Sequence, residues 1–540
     1  MRGDAECDVI VIGGGHNGLI TAAYLALGGR RVVVVERREV LGGCCVTESP
    51  WPGYRVNTAA DTVSLLSPEI VRELKLQQYG LQFLPRSSSW FTPLLDGRSL
   101  LLPSDVRRAS RALAAFSLRD AAAYPQFVAW LERVAQALRP LFADTAPDPA
   151  ALAQGRRRLG MAKRFRDQSR QRDWNRVCED LGEQFPEALE LLTGSLRSLL
   201  RRWFESEALR ATLAAEALHG VFQSAYAPGT AWGLVRAALG QTAGTRGGRC
   251  LVRGGMGQIA TSLAQACADL RVEVRTGAEV KRILVHQGRV RGVALASGEV
   301  LSAPVVASSL DARWTCERLL TPQELPAEFV SAVRRIEYGS ACAKINLALG
   351  ELPRFRGSST AELAPHHQAT MLLGPTLEQR ERAYDDAKYG WPSTEPILEM
   401  TLPTSLDDSL APPGKHVLSI FVQYAPLELA EGRHWDEIKE DFADRCLAVV
   451  ARYAPNVPSA VEARQVLSPL DLEREFRLSG GDIHHGALLP QQLYSLRPVA
   501  GWADHHTPVT GLFLCGAATH PGGGVWGQCG RNAATEILRA

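Results

Sequence analysis

The chain has 540 residues, 46% of them apolar and 22% charged, with 60 Lys and Arg against 58 Asp and Glu. That length exceeds one ordinary core and predicts about three domain-sized units. The near-neutral balance excludes a global attraction to nucleic acid. The 11 cysteines show neither CxxC nor paired zinc spacing, so no metal is expected and the thiols read as reduced and buried.

The first predicted strand is Asp8 to Ile12, and it runs into Gly13-Gly14-Gly15-His16-Asn17-Gly18 and then a helix from Leu19 to Leu27. A second apolar run, Val32 to Val35, ends on Glu36, about twenty residues past the glycines, where a dinucleotide fold places a carboxylate for the ribose hydroxyls. Gly13 permits the tight turn, Gly15 lets backbone reach a pyrophosphate, and Gly18 lets helix and strand approach. The polar turn from Arg37 ends at Gly42-Gly43 and suits a loop passing close to the bound cofactor. A strand starting this early leaves no room for a targeting segment, and no run of about eighteen apolar residues occurs. A cytoplasmic location is expected, with peripheral membrane association left open.

From about residue 105 to 240, Ala, Leu, Arg and Glu dominate at helical spacing. Within this stretch Arg156, Arg157, Arg158, Lys163, Arg164, Arg166, Arg170, Arg172 and Arg176 crowd together. They read either as a solvated face or as a dock for anionic lipid or an acidic partner. Gly254-Gly255-Met256-Gly257 opens a further helix, and strands follow at 272–274, 280–285, 290–295 and 300–307. Residues 335–485 mix strands at 343–349, 397–402 and 416–424 with a helix near 434–453. The last strand, Gly511 to Gly516, leads into a glycine-rich loop and a final helix.

That closing unit separates flavin from nicotinamide binding. One N-terminal glycine turn accounts for an ADP half, whereas Gly516, Gly523 and Gly524 would let backbone approach a flat ring. A helix following Gly524 would turn its positive end toward the ring. The chain resembles the phytoene desaturase-like branch of the FAD-dependent amine oxidoreductases through GGGHNGL at 13–19, VVVVERREVLGG at 32–43, GGMG at 254–257, AKINLAL at 343–349, GGDIHHG at 480–486 and LFLCGAATHPGGGVWGQCGRNAA at 512–534.

The resemblance implies an α/β fold: a discontinuous, glutathione-reductase-type FAD-binding Rossmann domain with an inserted β-sheet substrate domain and a helical cap. Its expected parts are 1–66, 245–310 and 500–540 for FAD, 67–104 and 311–499 for substrate, and 105–244 for the cap. Gly13, Gly15, Gly18, Glu36, Arg37, Gly42 and Gly43 would hold the ADP half. Val280 would lie beside adenine, and Gly516, Gly523, Gly524, Val525 and Trp526 would hold the flavin.

Oxidising a C–H bond also needs a group to take or hold a proton. Lys344 opens a strand that resembles the one whose lysine holds a water near the flavin in amine oxidases; the alternative is a strand-end lysine with its head in solvent. His484 and His485 sit in a glycine-bounded turn with Asp482 and are the other acid/base candidates. A disulfide reductase needs two cysteines a few residues apart, and the adjacent Cys44 and Cys45 do not supply that dithiol. A covalent flavin link through either, or through His520, stays open. Trp203-Phe204, Val221-Phe222 and Tyr226 read as core or as the lining of an apolar tunnel.

The expected function is an FAD-dependent dehydrogenase or desaturase that takes hydride from an apolar or partly apolar small molecule, with no nucleic-acid partner. The alternatives are an amine or amino-acid oxidase, a redox-neutral flavin isomerase, and a flavoprotein acting mainly as an interaction module.

Overall fold

The computed structural model describes residues 7–146, 175–242, 248–339, 342–358 and 360–540. Of the basic cluster only Arg176 falls among them, exposed and 3.8 Å from Asp180, so the docking expectation for 156–172 lies outside the described residues.

The first strand, Val9–Ile12, is buried on both faces and sits at the centre of a five-stranded parallel sheet. Its order is Leu512–Leu514, Val305–Ser308, Val9–Ile12, Val32–Val35, Glu273–Arg275. Strands covered on both sides cannot alternate, which is why Val32–Val35 is apolar throughout. The helix His16–Leu27 packs across the sheet against the final helix, Gln528–Arg539, where Thr21 Oγ1 donates to Gly530 O at 3.1 Å. A Cβ on Gly530 would lie 2.3 Å from Asn17 O, so the two ends of the chain meet too closely for any side chain there.

The stretch read as one strand at 300–307 is two. Pro304 has no N–H to continue a ladder, so Val300–Ser302 closes a three-stranded antiparallel sheet with Val280–His286 and Arg289–Leu295, and Val305–Ser308 enters the parallel sheet.

A seven-stranded sheet follows the order Val461–Leu467, Cys342–Leu349, His416–Gln423, Ile397–Thr401, Thr370–Leu373, Ser88–Pro93, Ser99–Pro103. The helices Leu118–Ala143, Leu196–Trp203, Glu207–Leu218 and Trp232–Ala238 pack on one another and on Trp90 of this sheet. In that core Trp203 stacks on Trp130 with centroids 5.6 Å apart, Phe204 meets Phe127 edge-on, and Phe222 packs on Tyr384 and Tyr424. Tyr226 lies beneath Arg197. Trp203, Phe204 and Phe222 are therefore core, Tyr226 is half-buried, and none of the four lines the cavity described below. No helix among the described residues is long and apolar enough to cross a membrane.

Candidate active site

Where the parallel sheet, the seven-stranded sheet and the helices meet, they enclose a cavity of about 300 Å3.

Gly13, Gly15 and Gly18 line it at the start of the helix His16–Leu27, which no side chain caps, leaving its N-terminal N–H groups for an anion. Gly18 is held by packing: a Cβ there would sit 2.0 Å from Gly13 O. Gly15 bridges to Gly42, and a Cβ on it would have only Gly42 O and Gly43 Cα at 3.9 Å, so the two glycine loops form a cradle open toward the cavity. Glu36 is oriented by the backbone, accepting from Gly14 N–H at 2.7 Å and Arg38 N–H at 2.8 Å. Arg37, Arg38, Gly42, Gly43 and Val280 line the same wall.

From the other end of the chain come Ala517, Gly524 and Val525. Gly516, Gly523 and Trp526 do not line the cavity. Gly516 abuts Ser309 O, Gly523 leaves room for the His484 ring, and Trp526 donates its Nε1–H to Gly523 O at 3.0 Å. These three shape the loop from behind. His520 contacts Leu141 O through Nε2 at 2.7 Å.

Lys344 lies within its strand, in register between Phe421 and Leu467, and is 3% exposed, so the solvent-facing alternative is corrected. Its Nζ donates to Asp61 Oδ1, which also accepts from Ser419 Oγ at 2.7 Å. Burial lowers the lysine pKa and the Asp61 charge works against that shift. Both residues line the cavity.

His484 and His485 line it too, in a turn pinned by Arg497, which donates to His484 O at 2.6 Å and to Ala517 O at 2.8 Å. Arg497 thereby ties the histidine turn to the C-terminal loop. His484 Nε2 lies 3.3 Å from His219 O, which fixes its proton on Nε2 and leaves Nδ1 an acceptor. Burial, aided by nearby Arg236 and His219, drives the His484 pKa well below its ordinary value, and burial lowers that of His485 as well. Both rings are neutral at pH 7.

The sequence reading missed a polar wall made of Glu216, His219, Arg236, Arg249 and Glu399. Arg249 reaches Glu216 Oε1 and Glu399 Oε2, each at 3.3 Å, and its guanidinium lies 4.9 Å over the Trp90 ring. Glu399 Oε2 also meets His219 Nδ1 at 2.9 Å. Burial pushes Glu399 up, but His219, Arg249 and Arg380 together outweigh it and hold the carboxyl at about 2. Nothing local marks these residues: Glu216 and His219 close the helix Glu207–Leu218, and Arg236, Arg249 and Glu399 come from three other parts of the chain.

None of the 11 cysteines forms a disulfide. Cys44 and Cys45 line the cavity, but burial pushes the Cys44 thiol up to about 12 and that of Cys45 higher still. Neither is a thiolate at neutral pH. No group of residues suited to a metal ion occurs among the described residues.

Backbone from both ends of the chain, and the Glu36 carboxylate held by the first glycine turn, meet around this one cavity. The sequence pattern of flavin-containing amine oxidoreductases matches residues 18–538, and the chain belongs to that family: it is an FAD-dependent oxidoreductase. It is 40% identical to the rat protein called pyridine nucleotide-disulfide oxidoreductase domain-containing protein 2, over 99% of this chain and 94% of that one. It is 27% identical to a limonene dehydrogenase component of Castellaniella defragrans, over 99% of this chain and 95% of that one. Among solved structures, an oxidoreductase from Methanosarcina mazei shares the fold with a TM-score of 0.61 at 17% identity, covering 99% of this chain and all of its own.

Proposed function

We propose that this chain is a dehydrogenase or desaturase that removes hydride from a C–H bond of an apolar or partly apolar small molecule. In this reading the parallel sheet with its two glycine loops is the cofactor domain, the seven-stranded sheet carries the substrate side, and the helices Leu118–Ala143, Leu196–Trp203, Glu207–Leu218 and Trp232–Ala238 belong to the cap. Glu36 and the cradle of Gly13, Gly15, Gly42 and Gly43 hold the ADP half, and Gly524 and Val525 meet the flavin. Bound FAD supplies the hydride acceptor.

The observation that carries this reading against an amine or amino-acid oxidase is the charge pairing around the cavity. Asp61 is matched by Lys344, and Glu216 and Glu399 are both engaged by Arg249. Each carboxylate of this group thus already faces a cation, although Glu399 Oε1 accepts no hydrogen bond from a described residue. The name of the Castellaniella relative, a limonene dehydrogenase, points the same way.

Lys344, fixed in mid-strand and balanced between desolvation and its ion pair, holds a water and exchanges a proton with it beside the reacting carbon. The neutral His485, whose Nδ1 has no hydrogen-bond partner among the described residues, is a second proton acceptor. The cap excludes bulk water.

The test is an absorption spectrum of the purified protein, followed by anaerobic mixing with hydrocarbons, alcohols, carboxylic acids and amines. Bleaching of the flavin band by a compound without an amine is expected. A colourless folded protein, or bleaching by amines alone, overturns the reading.

A further inference from the structure

The polar wall contains a guanidinium with no hydrogen-bond or ion-pair partner among the described residues. Arg236, on the helix Trp232–Ala238, lines the cavity and makes no hydrogen bond or ion pair with any described residue. Its neighbours are already committed. Glu216 accepts from Trp90 Nε1 at 2.9 Å and from Arg249, and Glu399 is held by Arg249 and His219. His484, the other close group, is neutral and turns its Nε2–H to His219 O. Burial pushes the Arg236 guanidinium down to about 10, with Glu216 opposing and Arg249 adding to the shift.

A guanidinium held in a cavity without a partner is a standing desolvation cost, and a planar oxyanion accepting two of its N–H groups is the ligand that best offsets it. The remaining wall here includes Ala59, Ala60, Val63, Leu65, Ala237 and Phe421. We infer that Arg236 is an anion subsite within the substrate cavity, and that the substrate is an apolar molecule bearing one carboxylate. The guanidinium would take the carboxylate and so fix which carbon of the apolar body faces the cofactor. An ammonium would be repelled at the same place.

This inference rests on the function proposed above and narrows its substrate class. It is tested by calorimetric titration of the flavin-loaded protein with decanoate, decanol and decylamine, which share a chain and differ in head group. Decanoate is expected to bind about 30-fold or more tightly than either of the others, the scale for a desolvated charge pair. Arg236→Met should erase that preference while keeping the flavin content, and should leave the thermal midpoint unchanged or raised, because no native partner is lost. Arg236→Lys, which keeps the charge and loses the planar fork, should retain part of the preference.

Equal binding of the three probes, or a preference that survives Arg236→Met, overturns the subsite. So does loss of flavin from Arg236→Met, which would assign the guanidinium to the cofactor. If Arg236→Met does not fold, an unchanged decanoate affinity in Arg236→Lys overturns it instead. A colourless protein sinks the flavin reading, whereas a yellow protein indifferent to head group sinks only the subsite.

Discussion

Lys344 and Asp61, 283 residues apart in sequence, form a buried ion pair in the cavity wall, and Ser419 donates to the same carboxylate oxygen at 2.7 Å. Structure and chemistry are therefore entangled at Lys344. Removing the lysine strands a desolvated carboxylate, so Lys344→Met should lose ~3 kcal/mol of stability and also slow flavin reduction. The double variant Lys344→Met/Asp61→Asn should recover most of the stability, since no bare charge remains, but none of the rate. Denaturant melts and stopped-flow reduction on both variants separate the effects. Recovery of the rate in the double variant would remove Lys344 from proton handling.

The glycine turn offers a contrast between folding and binding. At Gly18 an added Cβ would strike Gly13 O at 2.0 Å; neither backbone can move far, so Gly18→Ala should cost ~3 kcal/mol. At Gly15 the same methyl finds its nearest atoms at 3.9 Å, an ordinary contact, and its φ of −70° suits any residue. Gly15→Ala should fold with a near-normal melting temperature and bind FAD more weakly; Gly15→Val should lose FAD. The ratio of flavin to protein absorbance, read beside the melting temperature, checks both.

Acid should destabilise the protein in two stages. The folded state holds His16 and His366 at about 4 and lowers His484, His485 and His505 through burial. The unfolded chain protonates all of them near their ordinary 6.5. Between these values the unfolded state binds more protons, so stability falls as pH drops from 6.5, by up to ~1.4 kcal/mol per pH unit for each histidine involved. Glu399, held at about 2 against an ordinary 4.5, adds stability present above 4.5 and lost as pH falls toward 2. Melting temperatures from pH 8 to pH 4 should decline from near pH 6.5; a flat profile down to pH 5 would contradict the buried neutral histidines.

What could be read from the sequence was what the chain writes locally. The strand, glycine turn, helix and second strand of residues 9–35 lie in one run, and the parallel sheet makes the strands apolar throughout. The strand 397–401 shows the opposite case. Its five residues are all buried, and nothing in the pattern distinguishes Glu399 as a cavity residue from its apolar neighbours. Glu216 comes from a helix, Arg249 from the approach to Leu251–Val252, and Asp61 from a loop, so their meeting depends on tertiary packing alone. The same limit applies to Trp203 and Phe204, whose helical spacing fits core and tunnel alike.

The last prediction concerns Cys44 and Cys45, because the rat relative's name evokes disulfide chemistry. Attack on a disulfide requires a thiolate, and burial holds both thiols far into the protonated form, Cys44 at about 12 with Arg38 only partly opposing the shift. Their adjacency also denies them the spacing of a redox dithiol. Cys45 is instead a packing residue, fully buried, with its N–H donating to Gly42 O at 2.9 Å beside the cradle. Cys44→Ala/Cys45→Ala should therefore keep its flavin and its rate of flavin reduction, and lose ~1–2 kcal/mol of stability from the emptied Cys45 site. Stopped-flow reduction with the substrate found by the anaerobic panel decides the matter. A yellow variant that no longer reduces would return the cysteines to the chemistry.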